Sequence, residues 1–263
     1  MSKLASFLKR WPALYHFAEA SYWRTRGLKA DLLGTKVQER YWASRHCRKG
    51  SDWSNWNTAQ YLEEDNEWVI GYWDSQNHPH RPFLINRISN FSSNTILEIG
   101  CNCGPNLRLL AKKFPRAVIM GIDINPLAVE KGNEWLAQEG ISNVKLSVGK
   151  ADELGDFQDT SFDVVFTDAV LMYIGPDKIK NVIKEMIRVT RLALILLEWH
   201  DFDSDHRDQG LGVYYRGAWR RDYVALLKQF VREEQIHVTK ITEEIWPEKN
   251  WKEVGAIIEV IKR

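Results

Sequence analysis

The chain has 263 residues, enough for one large domain or for a core with an elaborated N-terminus. Lys and Arg number 36 against 35 acidic residues, and a net charge of +1 argues against a duplex nucleic-acid binder, which shows a basic excess or stripe. Cys47, Cys101 and Cys103 have neither disulfide-framework nor zinc-ligand spacing, so a reducing, cytoplasmic setting is expected and no metal is.

Residues 1–90 are rich in aromatics, Asn, His and Arg, and hold Trp11, Trp23, Trp42, Trp53, Trp56, Trp68 and Trp73. They are expected to form a helical lid or extension on a core spanning 91–263. Within them, residues 3–27 place Leu4, Phe7, Leu8, Trp11, Leu14, Tyr15 and Phe17 near helical spacing, with Lys and Arg between and after them. Two readings stay open for this stretch: a packing helix, or an interfacial helix that rests the protein peripherally on a membrane. No run reaches the roughly 18 apolar residues of a membrane-crossing helix, and no signal-peptide pattern is present.

From residue 94 the chain alternates short apolar runs with amphipathic stretches. Strands are expected at 95–99, 117–122, 144–148, 162–166 and 192–197. Helices are expected at 107–113, 126–138, 176–189 and 220–230. Two further strand-like runs, 236–241 and 256–261, have no helix-length pattern between them and can pair as an antiparallel hairpin at one edge. The expected fold is α/β: a Rossmann-like, seven-stranded, mostly parallel sheet with an antiparallel last strand, plus a helical N-terminal extension.

The first strand runs into ILEIGCNCGPN, residues 96–106. Glycine at 100 and 104 allows positive φ and close backbone approach by a ligand. A dinucleotide fingerprint needs G-x-G-x-x-G, and its second glycine is missing here; Pro105 also removes an N–H at the helix start. The second strand ends in GIDIN, with Asp123 placed 23 positions after Gly100, close to the ~20 expected for a ribose-binding carboxylate. The alternative for Asp123 is a helix cap.

An acidic residue followed by G-x-x-x-G, as in Glu98 to Gly104, resembles motif I of the class I, type 11-like methyltransferases that use S-adenosylmethionine. The resemblance covers residues 94–198. It implies that Glu98 helps hold the cofactor's ammonium and that the backbone at Gly100 and Cys101 lines the cleft. Gly104, Asn106, Asp123 and Ile124 complete this part of the cofactor set, and S-adenosylhomocysteine is the implied product. After the third strand, VGKADEL has Lys150 where the family often has Asp. Ala151 is therefore read as offering its backbone to an adenine ring nitrogen, and Asp152 its carboxylate to the exocyclic amine. Asp163 is read as structural and Asp168 as facing the cleft.

For the acceptor, Tyr173 in LMYIGPD stands near the methyl-transfer locus, or else is a packing aromatic. His200, at the end of the fifth strand, has the titration range of a general base for a hydroxyl. Tyr215, Arg216 and Arg220, with Arg221, are candidates to bind a carboxylate or phosphate on the acceptor, and NHPHR adds His78, His80 and Arg81 as a lid over the methionine end. Residues 160–225 carry a narrower similarity, in AVLMYIGPD, LLEW and YYRGAWRRDY, to methylases associated with pseudaminic acid and related surface-sugar biosynthesis. That implies O- or N-methylation of a sugar or another small metabolite. The competing readings are an RNA or protein methyltransferase, and a non-catalytic protein that keeps the fold for binding.

Overall fold

The computed structural model describes residues 34–44, 67–204, 209–215 and 217–262. The 3–27 stretch and Arg216 lie outside the described residues. Among the described residues, three α-helices precede the sheet: α1 (Thr35–Ala43), α2 (Glu67–Asp74) and α3 (His80–Ile88). There follow β1 (Thr95–Ile99), α4 (Pro105–Lys113), β2 (Val118–Asp123), α5 (Pro126–Gln138), β3 (Val144–Val148) and β4 (Phe162–Asp168). The second half comprises α6 (Ile179–Val189), β5 (Thr190–Trp199), β6 (Val213–Tyr215), β7 (Ala218–Arg220), α7 (Tyr223–Leu227), β8 (Ile236–Lys240), α8 (Lys249–Val254) and β9 (Gly255–Ile261).

Seven strands form one sheet in the order β3-β2-β1-β4-β5-β9-β8. β1 to β5 pair in parallel, and β9 runs antiparallel to both β5 and β8. The order reverses between β1 and β4, which opens a crevice at the carboxyl ends of those strands. The expected sheet is therefore present, with the last strand inserted between β5 and β8.

Pleating sends successive side chains to opposite faces. Ile96, Phe166, Ile195 and Ile257 enter one core with Leu107 and Leu110 of α4, while Leu97, Val165, Leu194 and Ile258 enter the other. In that second core α6 presents Ile179, Val182, Ile183, Met186 and Val189, a stripe at helical spacing. Helix α3 places Leu84, Ile85 and Ile88 in the first core, so a division at residue 90 runs through shared packing.

Two elements depart from the expected ones. Residues 218–220 pair with 213–215 as a small hairpin, which shortens the expected 220–230 helix to Tyr223–Leu227. Buried Trp219 is placed by that pairing. The connection between the last two strands also carries α8, a single short turn of helix. Asp163 is structural, as expected: it accepts from the Asn94 and Thr95 N–H groups at 2.7 and 3.1 Å.

Candidate active site

The turn after β1 is shaped by two glycines at φ +74° and +82°, Gly100 and Gly104. A Cβ on Gly100 would lie 2.3 Å from Val170 Cγ2, so glycine is needed for space as well as for conformation. The Gly100 and Cys101 N–H groups donate to the Ile122 carbonyl at 2.8 and 3.0 Å, stitching the turn to β2. At the tip of β2, Asp123 accepts from the Asn102 N–H and the Asn125 N–H, both at 2.8 Å. The cap of α5 is Asn125, whose side chain accepts from the Leu127 and Ala128 N–H groups, so Asp123 does not serve as that cap. Burial pushes the Asp123 carboxyl up, against the pull of its N–H donors.

These turns open onto a cavity whose space, with the solvent at its mouth included, is about 950 Å³. Gly100, Asp123, Ile124, Ala151, Asp152, Asp168 and Tyr173 all line it, bringing together seven of the residues expected from sequence. Glu98, Asn106 and His80 are buried beneath the wall. Asn106 donates to Glu98 Oε1 at 2.7 Å and to Asp168 Oδ2 at 3.0 Å. The same Asp168 oxygen faces His80 Nε2 at 3.0 Å and Arg81 at 3.3 Å. Burial alone would push the Asp168 carboxyl up; His80 and Arg81 outweigh it and hold the group well below the usual carboxylate range. Glu98, which lacks a direct cationic partner, is pushed well up by burial. Glu98 Oε2 and Asp168 Oδ1 are buried without a hydrogen-bond partner among the described residues.

Helix α1 forms part of the wall through Thr35, Gln38, Glu39 and Trp42. Its first turn is held by Asp177, whose Oδ1 accepts from the Thr35 N–H at 2.9 Å and the Thr35 hydroxyl at 2.8 Å. Its last turn is held by Asn125, which donates to the Trp42 carbonyl at 3.1 Å. Lys178 pairs with both Asp152, at 2.7 Å, and Glu39, at 2.5 Å. Trp42 packs on Tyr173 with centroids 4.7 Å apart; Trp68 and Tyr72 extend the aromatic wall. None of α1 was expected in the site: TKVQERYWA has no apolar stripe, and only the adjoining aromatics hinted at a cover.

Several expected residues fall elsewhere. Cys101 and Gly104 shape the turn without lining the cavity. His200 is buried outside the lining, its Nδ1 accepting the Tyr223 N–H at 3.3 Å, so the geometry does not present it to an acceptor. Arg220 pairs with Asp201 at 3.3 Å, and Tyr215 pairs with Ala218 in the hairpin, both off the cavity. Arg221 is fully buried and donates to the carbonyls of Leu211, Leu171 and Ile174. No group of three or more His, Cys, Asp or Glu among the described residues is placed to hold a metal ion. No helix among them is long and apolar enough to cross a membrane.

Residues 96–192 match the family described as a methyltransferase domain. They span β1 to the start of β5, the part of the sheet that carries the glycine turn and Asp123. The fold is that of a class I methyltransferase. Among curated relatives, the sterol 24-C-methyltransferase of Gibberella zeae is 29% identical over 143 residues, 51% of this chain and 36% of that protein. The chloroplastic tocopherol O-methyltransferase of Arabidopsis thaliana is 29% identical over 150 residues, 51% of this chain and 42% of that one. The chain thus spans less than half the length of these two relatives. The geranyl diphosphate C-methyltransferase of Streptomyces coelicolor superposes with a TM-score of 0.59 over 87% of this chain and 98% of its own, at 12% identity. At that identity the likeness speaks for the methyltransferase fold alone.

Proposed function

We propose that this chain is a methyltransferase that uses S-adenosylmethionine to methylate an oxygen or nitrogen of a small molecule. The observation that carries the reading is the buried Asp168 Oδ1, without a hydrogen-bond partner among the described residues, in one cavity lining with Gly100 of the glycine turn and Asp123. A ligand with an ammonium at one end and a nucleoside at the other suits that arrangement. Asp123 would take the ribose hydroxyls. Ile124, Ala151 and Asp152 would frame the adenine, and Gly100 with Asp168, Glu98 and Asn106 would receive the amino-acid end. When bound, the cofactor supplies an electrophilic methyl on a positively charged sulfur. The residues of this chain contribute position and exclusion of water: α1, pinned at both ends, covers the site, and Tyr173 with Trp42 packs beside the proposed transfer locus.

A sugar acceptor is the specific reading of the 160–225 pattern. A second reading, an apolar acceptor, is favoured by the wall of Trp42, Trp68, Tyr72 and Tyr173. We assign no base role to His200 and no acceptor contact to Arg220. Calorimetric titration tests the cofactor half: S-adenosylhomocysteine is expected to bind and NAD not to, and the reverse would overturn the proposal. Methyl-labelled cofactor incubated with nucleotide sugars, apolar metabolites and bulk RNA then separates the acceptor classes; label in RNA alone would overturn the small-molecule reading.

A further inference from the structure

Arg81 reaches the candidate site from α3, outside the residues 96–192 that match the methyltransferase family. It is 2% exposed and takes no part in the cavity lining, so it does not meet a ligand itself. Its guanidinium is held in place by the chain just before α3. Nε donates to the Ser75 carbonyl at 3.0 Å, and Nη2 to the Ser75 hydroxyl at 2.8 Å. The Tyr72 ring lies against it, with the ring centroid 5.2 Å from Cζ. These contacts fix where Nη1 points. Nη1 donates to Asn106 Oδ1 at 2.8 Å and to Asp168 Oδ2 at 3.3 Å.

The Asn106 amide has two unlike ends, and Arg81 decides which way round they lie. A guanidinium only donates, so the amide oxygen must face it. The amide nitrogen is thereby turned toward the carboxyl groups, and donates to Glu98 Oε1 at 2.7 Å and to Asp168 Oδ2 at 3.0 Å. Asp168 Oδ2 thus has Arg81, Asn106 and His80 Nε2 around it, whereas Oδ1 is buried with no partner among the described residues. Asp168 lines the cavity together with Gly100. One oxygen of this carboxyl group is crowded with neighbours and the other is left over. A buried oxygen left in that state costs free energy until a donor reaches it.

We propose that Arg81 is the positioning residue for the ammonium end of the cofactor site: by fixing the Asn106 amide and occupying Asp168 Oδ2, it reserves Asp168 Oδ1 for the cofactor's ammonium. The inference rests on the cofactor reading above and deepens it. Glu98, Asn106 and Asp168 lie within the family match, whereas the group that arranges them comes from the segment before it. Without Arg81 the amide can turn its oxygen toward the carboxyl groups. Asp168 also loses a cation that a buried negative charge needs. The charge of Arg81 by itself acts in the opposite sense, since it repels an arriving ammonium. Positioning and repulsion therefore predict opposite changes when the side chain is removed.

Calorimetry on the full chain with two ligands tests this. One is S-adenosylhomocysteine; the other is its analogue with hydrogen in place of the amine, which keeps the nucleoside, the sulfur and the carboxylate. The native chain is expected to prefer the first by about tenfold or more, the effect of a charge-assisted hydrogen bond. Arg81→Gln should lose most of that preference: affinity for S-adenosylhomocysteine falls about tenfold, and affinity for the analogue stays within about threefold. Equal losses for both ligands would make Arg81 merely structural, and a preference that grows would make it only a competing charge. Either result overturns the inference, as does a folded variant that keeps the native preference. If Arg81→Gln does not fold, Ser75→Ala loosens the same guanidinium and should narrow the preference by roughly threefold; an unchanged preference overturns the inference there. A native chain that binds both ligands equally leaves the cofactor reading standing and fells this one. No heat with either ligand fells the cofactor reading, and the role of Arg81 with it.

Discussion

The turns after β1 to β3 and the segment after β5 meet the same edge of one sheet, yet they spend their polar residues differently. In the first region Asp123 and Asp152 line the cavity, each anchored by neighbours that leave it facing ligand space. In the second, Arg221 is consumed by three main-chain carbonyls, Arg220 by Asp201, and His200 Nδ1 by the Tyr223 N–H. The cause is backbone accounting. Carbonyls of the short 3-10 turn at 171–174 and of the loop at 209–212 accept from Arg221, a buried donor for main-chain groups that water does not reach. A buried guanidinium meets that need, so richness in arginine reports loop repair there and not ligand binding.

The contrast breaks most sharply at Gly100. Valine there would combine a positive φ with a Cβ 2.3 Å from Val170. The expected cost is about 3 kcal/mol of stability, together with loss of measurable S-adenosylhomocysteine binding. Thermal melts and calorimetry check both, and native-like binding would mean that the turn does not shape the site. Asp123→Ala comes next. Losing charge-assisted hydrogen bonds should weaken cofactor binding by roughly 1–3 kcal/mol, or about 5- to 150-fold. Unchanged affinity would remove the carboxylate from the ribose role and dissolve the distinction between the two regions.

The first region was legible because its signals are local. Apolar runs mark β1 to β5, and glycine spacing and an acid at a strand tip are fixed by backbone conformation over a few residues. The acceptor side was not, because its geometry depends on long-range partners. Helix α1 shows only Thr35 and Gln38 buried; its place over the cavity follows from Asp177, Asn125 and Lys178, more than 80 positions away. The Arg81–Asn106–Glu98 connection likewise joins three segments, although each residue carried a signal of its own. The hairpin at 213–220 was not read because its strands supply only three residues each, too few to show an alternating pattern.

Glu198 offers a pH test of the structural character of the second region. Its carboxylate accepts the N–H groups of Val170, Leu171 and Met172. Burial pushes it up to about 7 from 4.5, despite those donors. A carboxyl that holds its proton more tightly when folded favours the native state while protonated. Its contribution is full below about pH 4.5 and is lost as pH rises through 7. The shift corresponds to about 3 kcal/mol. Glu198→Gln should flatten the fall in melting temperature between pH 4.5 and 7 while leaving cofactor affinity within about twofold. A slope that survives the substitution would assign the effect to another group.

The smallest expected effect is the most useful for separating loop repair from recognition. Arg220 is one-third exposed and pairs with the more covered Asp201; partly exposed pairs of this kind contribute on the order of 1 kcal/mol. Arg220→Ala should therefore shift stability by no more than that and leave both cofactor affinity and turnover on any small acceptor nearly unchanged. An arginine that grips a carboxylate or phosphate on the acceptor behaves otherwise, because its loss removes a charge-assisted hydrogen bond from the bound complex and raises KM by tenfold or more. A large rise in KM without a matching loss of stability would return this segment to the acceptor site and show that its ion pair with Asp201 opens on binding.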